Sequence, residues 1–91
     1  MKVSEITTEV LIDYCNAYPE DTKMLEIFKE GAISYIKNYT GIEDLDKYED
    51  ITLALLVLIN ESFENKSFTV ESNRANKIIE SILNMHSINL L

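Results

Sequence analysis

Seven consecutive apolar residues, Leu53-Ala54-Leu55-Leu56-Val57-Leu58-Ile59, constrain this chain more than any other feature. A helix that is apolar on every side has to be surrounded, by other helices or by a neighbouring subunit. A buried parallel strand carries the same kind of run. Leu and Ala favour helix, however, and Glu61 and Glu64 continue a helical pattern. The run therefore predicts a central helix over roughly residues 48–64. Around it lie 91 residues that are 46% hydrophobic and contain only two Gly and one Pro, enough for one core and not for two. The expected fold class is all-α, a small single-domain bundle of about four helices with a C-terminal docking tail.

The other helices follow from periodicity and stop signals. A short one is predicted over 8–15, capped by Thr7 or Thr8 and carrying an apolar stripe of Val10, Leu11 and Tyr14. Asn16-Ala17-Tyr18-Pro19 ends it, because proline turns its predecessor away from the helical region. A long helix is predicted over 21–39, with Met24, Leu25, Phe28, Ala32, Tyr35, Ile36 and Tyr39 at helical spacing. Thr40-Gly41 closes it, with Gly41 suited to a left-handed capping position. Residues 42–50 form an acidic connection that Leu45 and Tyr48 could pin to the body. Residues 65–71 are predicted non-helical; Phe68, Thr69 and Val70 favour an extended edge able to pair with another chain. A fourth helix is predicted over 72–86, behind a Ser72 or Asn73 cap, with Ala75, Ile78, Ile79, Ile82, Leu83 and Met85 or His86 in phase.

The chain then ends on Ile88, Leu90 and Leu91 in place of a polar, fraying terminus. Termini are mobile and solvated unless something ties them down, and one buried Leu or Ile contributes roughly 1.5–3 kcal/mol. Residues 87–91 thus read as a docking tail, either folded back on its own domain or seated on a partner. The candidate partner-binding residues are Ile82, Met85, His86, Ile88, Leu90 and Leu91. Lys66, Phe68 and Val70 are candidates for a contact between subunits.

Charge narrows the function classes. The net charge is −8; residues 1–65 hold 14 acids and 5 bases, whereas residues 66–91 hold 2 acids and 3 bases. A chain this acidic lacks the basic stripe of a nucleic-acid binder. Cys15 is alone, which suits a reducing compartment and a packing role. No apolar stretch approaches a membrane span and no signal peptide is recognisable, so a soluble protein made inside the cell is expected.

The sequence carries no recognisable catalytic or metal-binding pattern. The acidic stretch 43–50 lacks the alternating ligands, glycine turn and distal Glu of a calcium loop, and reads as solvated surface. His86 is the only histidine, with just Ser81 and Ser87 close by in sequence. There is no glycine-rich phosphate loop and no Cys/His metal spacing. The expectation is a protein that is not an enzyme and takes no cofactor and no metal.

Several segments, taken in order, resemble the small head–tail connector (adaptor) proteins of long-tailed bacteriophages and related prophages. Ala32-Ile33-Ser34-Tyr35-Ile36-Lys37-Asn38-Tyr39-Thr40-Gly41 is similar to that family's A-x-x-Y-I-x-x-Y-T-G segment. Phe63-Glu64-Asn65-Lys66 is similar to its Y-E-N-R ending, with Phe63 in place of Tyr and Lys66 in place of Arg. The second change keeps the charge but loses the bidentate geometry of a guanidinium. Asn76 to Leu91 looks like the C-termini of versions from phages of Gram-positive bacteria. The resemblance implies a non-enzymatic virion part at the head–tail joint. It would form a closed ring with other copies, commonly about a dozen, under the portal protein of the capsid vertex. The ring would extend the DNA channel, let DNA pass without specific binding and present a platform to the next tail-joining protein. The C-terminal segment would be the portal contact, and the acidic surplus would help line the channel. The rival reading is an acidic helical inhibitor or DNA mimic that occupies a basic groove on a partner.

Overall fold

The computed structural model of the chain describes the backbone of residues 1–65 and 73–86, and within the last helix the side chains of Lys77 and 79–84. All regular structure among these residues is helical: α1 (Thr8–Cys15), α2 (Thr22–Thr40), α3 (Glu49–Asn65) and α4 (Asn73–Asn84), with single 3₁₀ turns at Val3–Glu5, Pro19–Asp21 and Leu45–Lys47. The all-α bundle of four helices expected from the sequence is the fold, with boundaries within two residues of expectation. Lys66, Phe68, Val70 and the tail 87–91 lie outside the described residues, as does the expected extended edge.

Local chemistry sets the ends. The Thr7 side chain accepts the Val10 N–H and caps α1. Asn16 closes that helix with a left-handed backbone, φ 53°, and its N–H reaches the carbonyls of Asp13 and Ile12. Gly41, at φ 76°, does the same for α2, its N–H returning to the Lys37 carbonyl at 2.9 Å. Inside that stop the Thr40 hydroxyl is fully buried; it donates to the Ile36 carbonyl at 2.8 Å and accepts the Ile42 N–H at 3.1 Å. The hydroxyl thus satisfies an amide just past the helix that the helix ladder leaves unpaired.

Helix α3 is the centre, packed against α1, α2, α4 and the N-terminal 3₁₀ turn. Its buried side chains include Ile51, Ala54, Leu55, Leu58, Ile59 and Phe63. Of the seven-residue apolar run only Leu53 is exposed, while Leu56 and Val57 are half-buried against the core. The reason is that neighbours approach α3 from several sides, so this chain covers most of the run by itself. The stripe of α1 also differs from expectation. Leu11 and Cys15, four apart, face the core, and Tyr14 stays 41% exposed at the margin. Leu25, Phe28, Ala32 and Ile36 of α2 and Ile79 and Leu83 of α4 complete the interior. Ser62, fully buried on α3, turns its hydroxyl back to the Leu58 carbonyl at 2.9 Å.

Three long-range contacts tie the N-terminal residues down, two to the start of α3 and one to the 3₁₀ turn before it. The Thr52 hydroxyl donates to the Met1 carbonyl at 2.7 Å. The Met1 amine lies 3.8 Å from Glu49. The Ser4 N–H donates to Asp46 Oδ1 at 2.8 Å. Midway along α2, Lys29 Nζ donates to the Ile6 carbonyl at 2.6 Å, holding the segment before α1 in place.

Candidate interaction surface

One end of the bundle gathers the C-terminus of α2, the connection 42–48, the first turn of α3 and the last turn of α4. Leu45 anchors the connection in the core at 4% exposure. Asp44 caps the 3₁₀ turn by accepting the Asp46 N–H at 3.2 Å. The bond from Ser4 holds the Asp46 carboxyl below the usual carboxylate range, since backbone donation favours the charged form. Asp44 and Asp46 therefore have structural work and Glu43 faces water, while neither Glu43 nor Asp44 forms an ion pair among the described residues.

Helix α4 arrives antiparallel to α3 and closes with the Met85 and His86 amides returning to the Ile82 and Leu83 carbonyls. His86 Nε2 then lies 2.8 and 3.0 Å from the two carboxylate oxygens of Asp50. Its ring centroid is 4.4 Å from that of Tyr48, tilted by 46°. This contact locks the end of α4 onto the start of α3. A further bond, from the Tyr39 hydroxyl to Asn84 Oδ1 at 2.7 Å, pins the same turn to α2. Tyr39 in turn lies 6.0 Å from Tyr35, whose hydroxyl is pushed up by burial and by its neighbours Tyr39 and Glu80.

Between these elements opens a groove of about 590 Å³. Ile42, Tyr48 and Met85 supply its apolar lining, Glu43, Asp44 and Lys47 its charges, and His86 stands between the two sets. Met85 is 65% exposed and Tyr48 38%, so a patch of apolar surface is open to solvent here.

The sequence-predicted partner residues fall into three groups. Met85 and His86 line the groove. Ile82 is half-buried and packs against the core. Ile88, Leu90 and Leu91 lie outside the described residues, as do Lys66, Phe68 and Val70. Nothing in the sequence pattern singles out Asp50 or Ile42 for this surface, and Tyr48 reads there only as a pin for the connection. Asp50 and His86 are 36 positions apart, and no local pattern links them.

Among the described residues no group of three or more His, Cys, Asp and Glu side chains is placed to hold a metal ion. Cys15 is buried, and burial, with Glu64 nearby, pushes its thiol up to about 11, far from the range of a nucleophilic thiolate. No helix among the described residues is long and apolar enough to cross a membrane. Comparison with family models, with curated proteins and with solved structures finds no match to this chain.

Proposed function

We propose that this chain is a non-enzymatic assembly protein of the head–tail connector kind, working as a ring of copies between the capsid portal and the tail and extending the DNA channel. The observation that carries the reading is the position of Met85. This large, exposed apolar side chain stands just past the end of α4, where bonds from Asn84 to Tyr39 and from His86 to Asp50 tie it to α2 and α3, and Ile88, Leu90 and Leu91 follow it in sequence. An exposed apolar side chain at an anchored helix end, continued in sequence by large aliphatic residues, is the kind of element that docks into a partner's groove. The resemblance adds weight because its motif coincides with a structural device: the Tyr35 to Gly41 segment builds the aromatic pair and the helix stop that shape this end.

Support from α3 is smaller than its composition suggests. The chain covers most of that run itself, and Leu53 alone is left as a candidate for contact between subunits. The reading therefore rests on the C-terminal end and not on an unburied central helix.

The test is to mix the purified protein with the portal protein encoded in the same genome and inspect the product by electron microscopy. A ring seated on the portal is expected. Deleting Ile88 to Leu91 should abolish attachment while leaving the helical circular dichroism unchanged. A chain that never joins portal at any concentration, or one that joins equally well without its last four residues, would sink the proposal.

A further inference from the structure

The geometry points to the groove between residues 42–48 and the end of α4 as a receptor for a segment of another protein that carries Lys or Arg together with large aliphatic residues. This goes beyond the connector reading and stands without it, because it concerns what enters this chain and not what the chain's own terminus enters.

Three features of the groove specify such an occupant. Its volume of about 590 Å³ lies in the range that accepts several side chains, too large for a lone cation. Its apolar lining is of an adaptable kind: Met85 is flexible and polarisable, and Tyr48 offers a ring beside the fixed imidazole of His86. Its free charge is negative. Glu43 and Asp44 both line it without an ion pair among the described residues, against the single cation Lys47. Of the acids that flank the same connection, Glu49 faces the Met1 amine and Asp50 the His86 ring, so Glu43 and Asp44 are the carboxylates left to meet an occupant.

Charge also separates the possible occupants. The chain's own terminus, Ser87-Ile88-Asn89-Leu90-Leu91, could fill the apolar part but carries no basic side chain to meet Glu43 and Asp44. A second copy brings 14 acids against 5 bases in its residues 1–65, and its residues 66–91 offer a net charge of only +1. A basic, aliphatic segment of a different protein satisfies both halves of the lining at once.

The test uses the full chain, labelled with ¹⁵N, and the peptide acetyl-Leu-Lys-Leu-Arg-Leu-amide, followed by amide chemical shifts. Saturable shifts confined to residues 42–48 and 85–86 are expected. A peptide with Gln at both basic positions should bind about fivefold more weakly, the loss of two exposed charge contacts. One with Glu there should not bind. Salt at about 0.5 M should erase the difference between the basic and Gln peptides. The Glu43→Gln/Asp44→Asn double variant, which keeps an oxygen to cap the 3₁₀ turn, should bring the basic peptide down to the Gln peptide's affinity. Equal binding of basic and acidic peptides, or shifts spread over other surfaces, would overturn the assignment. Removing Ile88 to Leu91 should leave the groove amides where they are. If that deletion shifts them with no peptide present, the chain's own terminus is the occupant and the proposal falls.

Discussion

Replacing Thr40 with valine tests how the end of α2 is built. Valine keeps the shape and the β-branched helix preference of threonine, so only the hydroxyl is lost. That hydroxyl is fully buried and bonds the Ile36 carbonyl at 2.8 Å and the Ile42 N–H at 3.1 Å. The Ile36 carbonyl keeps its partner in the helix ladder, but the half-buried Ile42 amide is left with no acceptor. A lost net hydrogen bond costs about 0.5–1.5 kcal/mol and a stranded donor about 1–3, so the change should destabilise by about 2–3 kcal/mol. That is a large share of the total for a domain of this size, roughly 5–14 kcal/mol. With a urea slope of about 1–2 kcal/mol/M, the unfolding midpoint should fall by about 1–3 M. Thr40→Ser, which retains both bonds and gives up one buried methyl, should lose only about 1 kcal/mol. The expected order is therefore threonine, then serine, then valine. A valine variant as stable as the serine one would refute the role given to the hydroxyl.

Three further outcomes are expected. Ser62→Ala should change stability by less than about 0.5 kcal/mol in urea unfolding, because the Leu58 carbonyl keeps its ladder bond and alanine improves the helix. The folded-state carboxyl of Asp46 lies below its unfolded value, so the Ser4 clip contributes fully above the ordinary carboxylate range and is lost as pH falls through the lower folded value. Asp46→Asn should flatten that acid limb, and the Ser4 amide shift should report the release. The Cys15 thiol is raised to about 11, so its contribution is complete below the ordinary thiol range and declines as pH climbs toward that value. Labelling by a thiol reagent near neutral pH should accordingly run far slower in the folded protein than in urea, and equal rates would contradict the burial of Cys15.

The helices were legible because their signals are local. Thr7 at a cap, Pro19 after α1 and Gly41 after α2 act within one turn of where they stand, and each boundary fell close to expectation. Which face of a helix is buried depends on neighbours that periodicity does not name. Tyr14 and Cys15 both suit an apolar stripe of α1, and packing chose Cys15. The run from Leu53 to Ile59 looks uniform, yet its members range from fully buried to half exposed according to which helix lies opposite. The surface at the end of the bundle was half legible. Met85 and His86 stood out for their place before the aliphatic terminus. Asp50, Tyr48 and Ile42 join them through tertiary contacts that no spacing rule encodes.

The first turn of α3 receives both Met1, through Thr52 and Glu49, and His86, through Asp50. A tag or fluorophore attached at either of those positions would crowd the very surface whose partners are in question. The 3₁₀ turn Pro19–Asp21 lies beyond the other end of α2, whose 19 residues span about 28 Å, and Tyr18 before it is 70% exposed. A reporter grafted there would leave that surface clear, and its distance to a second label on the partner would measure how the bundle stands in the assembly.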